Sequence, residues 1–237
     1  MTRKLSQSET GPYNKDQELY TKLVNELYEK YPDGVTLPPE YASFVENDVL
    51  RLLIRLSRYK FVAKLLKKTD RVLEVGCGSG LGSIFLSQHC EKVVGLDVKK
   101  NEINEAKRYK LRENIRFEVG DFFDYSEHEK FDVIVNMDVI EHMPVEIGHE
   151  LVQKASKLLN HTGLFVCGTP SIYSYPYQSA LSQASHIKCY DRDELVELIE
   201  NYFQRTLSFS MNDELVHTGF HKMAWYYFII AFSPKIS

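Results

Sequence analysis

Three glycines at every second position, directly after an apolar strand, constrain this chain more than any other feature. Residues 72–80 read Val-Leu-Glu-Val-Gly-Cys-Gly-Ser-Gly, so the strand ends where Gly76, Gly78 and Gly80 begin. Glycine adopts left-handed backbone angles and has no Cβ to keep a ligand away from the main chain. A helix after such a turn presents unpaired N–H groups to the same ligand. The pattern therefore predicts a nucleotide-like ligand against bare backbone at the carboxyl end of a strand.

The spacing of these glycines excludes two common nucleotide motifs. The dinucleotide fingerprint G-x-G-x-x-G would need glycine at 81 or 83, where Leu81 and Ser83 stand. A P-loop needs a lysine at a fixed offset, and the first lysine after the glycines is Lys92. The remaining pattern, E-x-G-x-G-x-G from Glu74 to Gly80, resembles motif I of the class I S-adenosylmethionine-dependent methyltransferases. A purely structural strand-to-helix turn is the alternative explanation of the glycines alone.

The order of apolar runs predicts the fold. From Arg71 onward, strands alternate with helices, which is typical of an α/β protein with a doubly wound parallel sheet. The last two apolar runs, near 203–211 and 223–232, have no helix between them and predict a hairpin. The resemblance implies a seven-stranded, mostly parallel sheet with an antiparallel last strand. Residues 1–69 are predicted to form an N-terminal helical segment that acts as a lid, and residues 70–237 the cofactor-binding domain.

The resemblance also implies cofactor contacts after each of four strands. Asp97 ends the second strand, about twenty residues after the first glycine, where α/β nucleotide sites hold a ribose. Its carboxylate can accept from two vicinal hydroxyls, although an acid here is equally typical of a helix N-cap. In the family, an acid after the third strand accepts from the adenine amino group beside an apolar neighbour, which fits Asp121 and Phe122. The full expected set is Glu74, Gly76, Cys77, Gly78, Gly80, Asp97, Val98, Asp121, Phe122, Asn136, Met137 and Asp138.

The candidate catalytic residues follow the fourth strand and lie in a later loop. Residues 137–144, Met-Asp-Val-Ile-Glu-His-Met-Pro, resemble the segment that presents groups to the methionine part of the cofactor and to the acceptor. Histidine is the usual base for an alcohol proton, so His142 and His186 are candidates. Glu141 is expected either to hold the tautomer of His142 or to bind a divalent metal with it, as a Glu-His pair does in the ubiquinone-pathway O-methyltransferases. Two ligands are too few to define a site, so no metal is predicted.

A long segment, 169–190, is the predicted acceptor site. It is rich in tyrosine and serine, shows no recognisable structure of its own and leaves the carboxyl edge of the sheet. These side chains favour a small, polar, hydroxyl-bearing acceptor such as a sugar, a nucleotide-sugar or a glycan precursor; disorder is the alternative. Nucleobase amines are disfavoured as acceptors because the Asn/Asp-Pro-Pro-aromatic tetrapeptide of the corresponding DNA methyltransferases is absent.

Charge and hydropathy narrow the classes of partner that the protein is expected to bind and the compartment in which it is expected to lie. A net charge of −4 argues against nucleic acid, and the basic residues in 51–58 are predicted to form a solvated helix face. There is no apolar stretch long enough to insert into a membrane and no secretion signal, which predicts a cytoplasmic protein. Four cysteines without a C-x-x-C pair predict free buried thiols.

These observations predict a methyltransferase that acts on a hydroxyl in carbohydrate biosynthesis, with S-adenosylmethionine as cofactor. Three alternatives stay open: an N-methyltransferase of a small amine, an NAD(P)-dependent oxidoreductase, and a cofactor-binding subunit without catalysis. The oligomeric state is also open, with a homodimer as one option.

Overall fold

The computed structural model describes residues 17–34, 36–108 and 112–235, and these divide into two compact units. The first unit ends at Leu37 and contains helix α1, Gln17–Lys30, which has no buried residues. The second unit begins at Pro38 and contains all the other helices and strands described below.

An eight-stranded sheet forms the centre of the second unit, with strand order β3-β2-β1-β4-β5-β8-β6-β7. The five strands from β3 to β5 are parallel, whereas β8 is antiparallel to both β5 and β6, and β7 is antiparallel to β6. The strands are β1 (Arg71–Val75), β2 (Lys92–Asp97), β3 (Ile115–Val119), β4 (Phe131–Met137), β5 (Leu159–Pro170), β6 (Phe203–Asn212), β7 (Leu215–His217) and β8 (Tyr226–Pro234).

This topology confirms the predicted fold class, including the hairpin that ends the chain. β6 and β8 pair along most of their length, and β8 is inserted between β6 and β5. The eighth strand is β7, in which three residues pair with Ser210, Met211 and Asn212 of β6. Three residues are too few to show the alternating pattern by which a strand is recognised in a sequence.

Helices cover both faces of the sheet because its central strands are apolar on both sides. In β4, Ile134 packs in one core cluster with buried residues of α6 and α8, while Val133 packs in the other with residues of α3, α4 and α5. This alternation follows from the period of two of a strand. The helices of the second unit are α2 (Pro39–Asn47), α3 (Val49–Ala63), α4 (Leu81–Ser87), α5 (Lys100–Arg108), α6 (Val145–Leu158), α7 (Ala180–Ser185) and α8 (Arg192–Glu200).

The long segment after β5 has a defined structure. It contains a 3-10 helix, Ile172–Tyr177, followed by α7. Each begins at a serine cap: the Ser171 hydroxyl accepts from Tyr173 N at 3.0 Å, and the Ser179 hydroxyl accepts from Ser182 N at 3.2 Å. Such local caps stabilise short helical turns that carry little hydrophobic periodicity, which explains why the sequence pattern did not reveal them.

α2 and α3 belong to the same compact unit as the sheet, and Val62 and Ala63 of α3 are part of its core. The division at residue 69 and the lid role of the preceding segment stay predictions. Among the described residues, none of the helices combines the length and apolarity needed to cross a bilayer.

The two-sided core gives a stability prediction. Phe165 of β5 is fully buried and stacks on Phe203 with ring centroids 5.7 Å apart. We expect Phe165→Ala to lower the free energy of unfolding by about 3–5 kcal/mol, because it removes buried apolar surface and leaves a cavity. Urea denaturation measures this, with Leu215→Ala on exposed β7 as the control, for which a change within about 0.5 kcal/mol is expected. Equal effects of the two substitutions would contradict the assignment of Phe165 to the core.

Candidate functional site

The glycine turn after β1 has one position that is open to a ligand. Gly76, Gly78 and Gly80 have φ angles of 72°, 53° and 82°. A Cβ added to Gly76 would lie 2.3 Å from Val139, and one added to Gly80 would lie 2.6 Å from the ring of Phe117. For Gly78, no atom of the described chain lies within 4 Å of that added Cβ. Packing therefore requires two of the glycines, whereas Gly78 faces open space.

Asp97, at the end of β2, holds this turn in place. Its Oδ2 accepts from Gly78 N at 2.8 Å, and its Oδ1 accepts from Lys99 N at 2.8 Å, just before α5. Each carboxylate oxygen can accept a second hydrogen bond, so Asp97 can support the backbone and still bind hydroxyl groups. Val98, beside it, is exposed.

Two other residues predicted to bind the cofactor are enclosed by protein. Glu74 is 1% exposed; its Oε2 accepts from the Ser83 hydroxyl of α4 at 2.5 Å. Burial raises the pKa of Glu74 to about 7, and the hydrogen bond from Ser83 opposes this shift. Cys77 is also buried, and burial raises the pKa of its thiol. Neither side chain reaches the open side of the turn.

The turn after β3 carries two residues predicted to contact the cofactor, and their exposure differs. Asp121 is exposed, and its Oδ1 accepts from Phe123 N at 2.9 Å. The side chain of Phe122 is buried in the core cluster that contains Leu96 of β2. Asp121 is thus available at the surface, whereas little of the Phe122 ring is.

At the end of β4 the chain bends sharply. Asn136 and Met137 are buried, and Asn136 Nδ2 has no hydrogen-bond partner among the described residues. Asp138 has a φ of 57°, which is uncommon for a residue with a side chain. Its N–H donates to Gly168 O of β5 at 2.9 Å, which fixes this bend against the neighbouring strand.

Arg58 of α3 was missed as a site residue. Its Nη1 lies 3.0 and 2.8 Å from the two carboxylate oxygens of Asp138, and its guanidinium carbon lies 3.8 Å from the ring centre of Tyr226. The prediction that the basic residues of 51–58 form a solvated face is therefore wrong for Arg58. Burial is the largest single effect and lowers the pKa of Arg58, but Asp138, Tyr226 and Glu141 together outweigh it and raise the pKa. A contact between residues 80 positions apart leaves no local signal in the sequence.

The three predicted catalytic residues come together beside this bend. One donor atom from each of Glu141, His142 and His186 lies within 4.8 Å of the other two. The two imidazole rings meet edge to face, with centroids 5.1 Å apart. The Glu141 Oε2 accepts from the Thr169 hydroxyl at 3.0 Å, and the Glu141 main-chain oxygen accepts from Ile187 N at 2.8 Å. The latter bond brings the segment that carries His186 to the end of β4.

The surroundings set the protonation of this cluster. Burial, followed by the charge of Asp138, raises the pKa of Glu141 to about 8. Burial and the neighbouring His142 lower the pKa of His186, which favours the neutral form of its ring. His142 Nδ1 lies 2.9 Å from Ser185 O; because a carbonyl can only accept, Nδ1 carries the proton of this hydrogen bond.

Comparison with known proteins agrees with this geometry. Residues 72–163 match the family described as "Methyltransferase domain". Over 181 residues, the chain is 28% identical to a ubiquinone biosynthesis O-methyltransferase of Pelagibacter ubique. The aligned region is 73% of this chain and 71% of that relative.

The chain is thus similar to the class I S-adenosylmethionine-dependent methyltransferases, most clearly over residues 72–163. A mitochondrial ubiquinone biosynthesis O-methyltransferase of Dictyostelium discoideum is 32% identical over 130 residues, which is 49% of this chain and 40% of that relative.

Solved structures share the fold. A Pyrococcus horikoshii protein has a TM-score of 0.63 at 22% identity, covering 89% of this chain and 99% of its own. The N-methyltransferase NodS of Bradyrhizobium japonicum, solved with S-adenosyl-L-homocysteine, has a TM-score of 0.54 at 19% identity, covering 80% of this chain and 88% of its own. These two likenesses show that the chain shares the fold of these proteins.

The open side of the glycine turn predicts the effect of a branched side chain there. We expect Gly78→Val to abolish binding of S-adenosylhomocysteine in calorimetry, because the new side chain would occupy space that no described protein atom fills. Gly80→Val is the matched control: its side chain meets Phe117, so it should mainly lower the melting temperature. Undiminished affinity of Gly78→Val would place the cofactor elsewhere.

The raised pKa of Glu74 predicts a dependence of stability on pH. The folded methyltransferase keeps this proton up to about pH 7, whereas the unfolded chain loses it near 4.5. Unfolding therefore releases a proton between these values, and stability falls as pH rises through that window. We expect urea denaturation from pH 5 to 8 to show a shallower decline for Glu74→Gln than for the wild type. Glu150→Gln, on an exposed position of α6, should keep the wild-type slope.

Proposed function

We propose that this methyltransferase transfers a methyl group to a hydroxyl of a small acceptor bound at the carboxyl edge of β4 and β5. The observation that carries the proposal is the convergence of Glu141, His142 and His186 beside the bend at Asp138. Two of the three come directly after β4, and the third comes from the segment after β5. The relatives named as O-methyltransferases support oxygen as the nucleophile.

The cofactor would lie along the edge formed by the ends of β1 to β4. Its ribose would be bound by Asp97 and its adenine amino group by Asp121. The methionine portion would lie between Gly78 and the bend at Asp138. The side-chain amide of Asn136, whose Nδ2 has no partner among the described residues, suits a polar ligand there.

Methyl transfer makes limited demands on the protein. The acceptor oxygen forms a bond to the methyl carbon while the carbon–sulfur bond breaks, and the electron pair of that bond stays on sulfur. The protein aligns the three atoms and keeps water out. The hydroxyl must also lose its proton, and the three clustered residues are the groups that assist this loss.

We further propose a phenolic hydroxyl as the acceptor. Tyr177 and Trp225 are 75% and 49% exposed, and their ring centroids lie 5.9 Å apart; Tyr177 ends the 3-10 helix after β5, and Trp225 directly precedes β8. Such rings can stack against an aromatic acceptor. The relatives are named for ubiquinone biosynthesis, and none of the comparisons supports the sugar or glycan precursor expected from the sequence.

His142→Ala tests this assignment. We expect turnover with S-adenosylmethionine and a simple phenol to fall about 100-fold or more, because assistance to proton loss is removed. The affinity for S-adenosylhomocysteine should change by less than about twofold, since the loss is confined to the transition state. Release of S-adenosylhomocysteine measures turnover, and calorimetry measures affinity.

The exposed His128 provides the matched control, and His128→Ala should keep wild-type turnover. Phenols, sugar alcohols and small amines are compared in the same assay. Turnover of amines alone would contradict oxygen transfer, and full activity of His142→Ala would show that this histidine has only a structural role.

A further inference from the structure

We propose that Asp191, the residue that caps α8, is a positioning residue for the acceptor. It fixes the 3-10 helix Ile172–Tyr177 through one side-chain hydrogen bond, and so holds the ring of Tyr177 against that of Trp225. The use of this pair of rings by an acceptor rests on the proposed function, whereas the contacts themselves do not.

The two carboxylate oxygens of Asp191 have different tasks. Oδ1 accepts from Asp193 N at 2.9 Å and caps α8, whereas Oδ2 accepts from the Tyr173 hydroxyl at 2.8 Å. α8 is itself fixed to the core by three buried side chains, Leu195, Leu198 and Ile199. Oδ2 therefore ties the 3-10 helix to an element that is held in place by the core, and this task is separate from the capping of α8.

The surroundings keep Asp191 ionised. Burial raises its pKa, but the hydrogen bonds from Asp193 N and Tyr173 oppose this. Together with the charges of His221 and Arg192, they lower the pKa of Asp191 below its usual value. A hydrogen bond to an ionised acceptor is stronger than one between neutral groups. His221 Nε2 also lies 3.8 Å from the same Oδ2, so the carboxylate attracts the loop that precedes β8 as well.

The 3-10 helix needs such a tie because its own backbone bonds are few. Pro176 lies inside it and has no N–H to donate, and 3-10 hydrogen bonds have poorer geometry than those of an α-helix. Its first turn is capped by Ser171, whereas its last residue, Tyr177, is exposed. The position of that exposed end therefore depends on the side-chain bond that Tyr173 makes to α8.

The ring of Trp225 depends in turn on Tyr177. The main chain of Trp225 is fixed independently, since its N–H donates to Asn212 Oδ1 at 3.0 Å and its carbonyl accepts from Ser171 N at 2.9 Å. Its ring is half exposed and meets the Tyr177 ring edge to face. Movement of the 3-10 helix would thus separate the two rings without displacing the backbone of Trp225.

Loss of this tie should affect acceptor binding more than the chemical step. The contacts of Asp191 and Tyr173 do not include the glycine turn or Asp97, so binding of the cofactor should not change. A looser pair of rings removes binding that the ground state and the transition state share, which raises KM and leaves kcat nearly unchanged.

The fluorescence of Trp225, the only tryptophan of the chain, tests the tie without relying on activity. Tyr173→Phe removes one hydroxyl, and Asp191→Ser keeps a capping residue but removes Oδ2. Tyr175→Phe is the matched control, because this hydroxyl belongs to the same helix and donates to Gln183 O. We expect lower steady-state anisotropy in the first two variants, since the indole ring gains fast motion, and the wild-type value in the third.

The same variants are assayed with S-adenosylmethionine and a simple phenol. In Tyr173→Phe and Asp191→Ser, we expect KM for the phenol to rise about threefold or more, while kcat and the affinity for S-adenosylhomocysteine stay within about twofold of the wild type. Tyr175→Phe should keep the wild-type KM. Circular dichroism verifies that each variant is folded, and Tyr173→Phe decides should Asp191→Ser unfold.

The two measurements separate this inference from the proposed function. Unchanged anisotropy in both variants would overturn the inference, whether or not the chain methylates phenols. Changed anisotropy with an unchanged KM would also overturn it, because the tie would then not act on the acceptor. Changed anisotropy in a chain that methylates no phenol would support the positioning of the two rings and refute the proposed acceptor alone.

Discussion

The bend after β1 depends on the end of β2, and the rest of the site is arranged around that bend. Gly76 N and Cys77 N both donate to Leu96 O, at 2.8 and 3.1 Å, and Gly78 N donates to the carboxylate of Asp97. Two residues of β2 thus hold three successive N–H groups of the turn. Because parallel strands end at the same edge of a sheet, these bonds place the open glycine beside the ends of β3 and β4.

The ion pair of Arg58 and Asp138 couples α3 to that edge. A partly buried charge pair costs free energy to desolvate, and here two hydrogen bonds and the ring of Tyr226 oppose that cost. Asp138 also donates its N–H to β5 while its backbone is in the left-handed region. The strained bend is therefore fixed from both sides, and it determines where Glu141 and His142 lie.

The sequence predicted those parts of the molecule that depend on local pattern. The alternation of strands and helices, the final hairpin and the glycine turn follow from apolar periodicity and glycine spacing. His142 and His186 are both predictable as site residues because each follows a strand that ends at the same edge. Arg58 was not predictable, since an arginine among leucines at helical spacing has the same pattern whether it faces solvent or a carboxylate. The enclosure of Phe122 is likewise a consequence of tertiary packing. β7 and α7 are too short for their periodicity to be detected.

The end of α7 shows how a local feature can complete a distant site. The last carbonyl groups of a helix have no partner within it, and α7 ends at Ser185. His142 uses that carbonyl, so the helix terminus sets the tautomer of a residue 43 positions earlier. The next residue, His186, leaves the helix with its N–H bonded to Ser182 O, which directs its ring toward His142. Two serine caps thus order a segment that would otherwise be a loop, and that order brings the third member of the cluster to the first two.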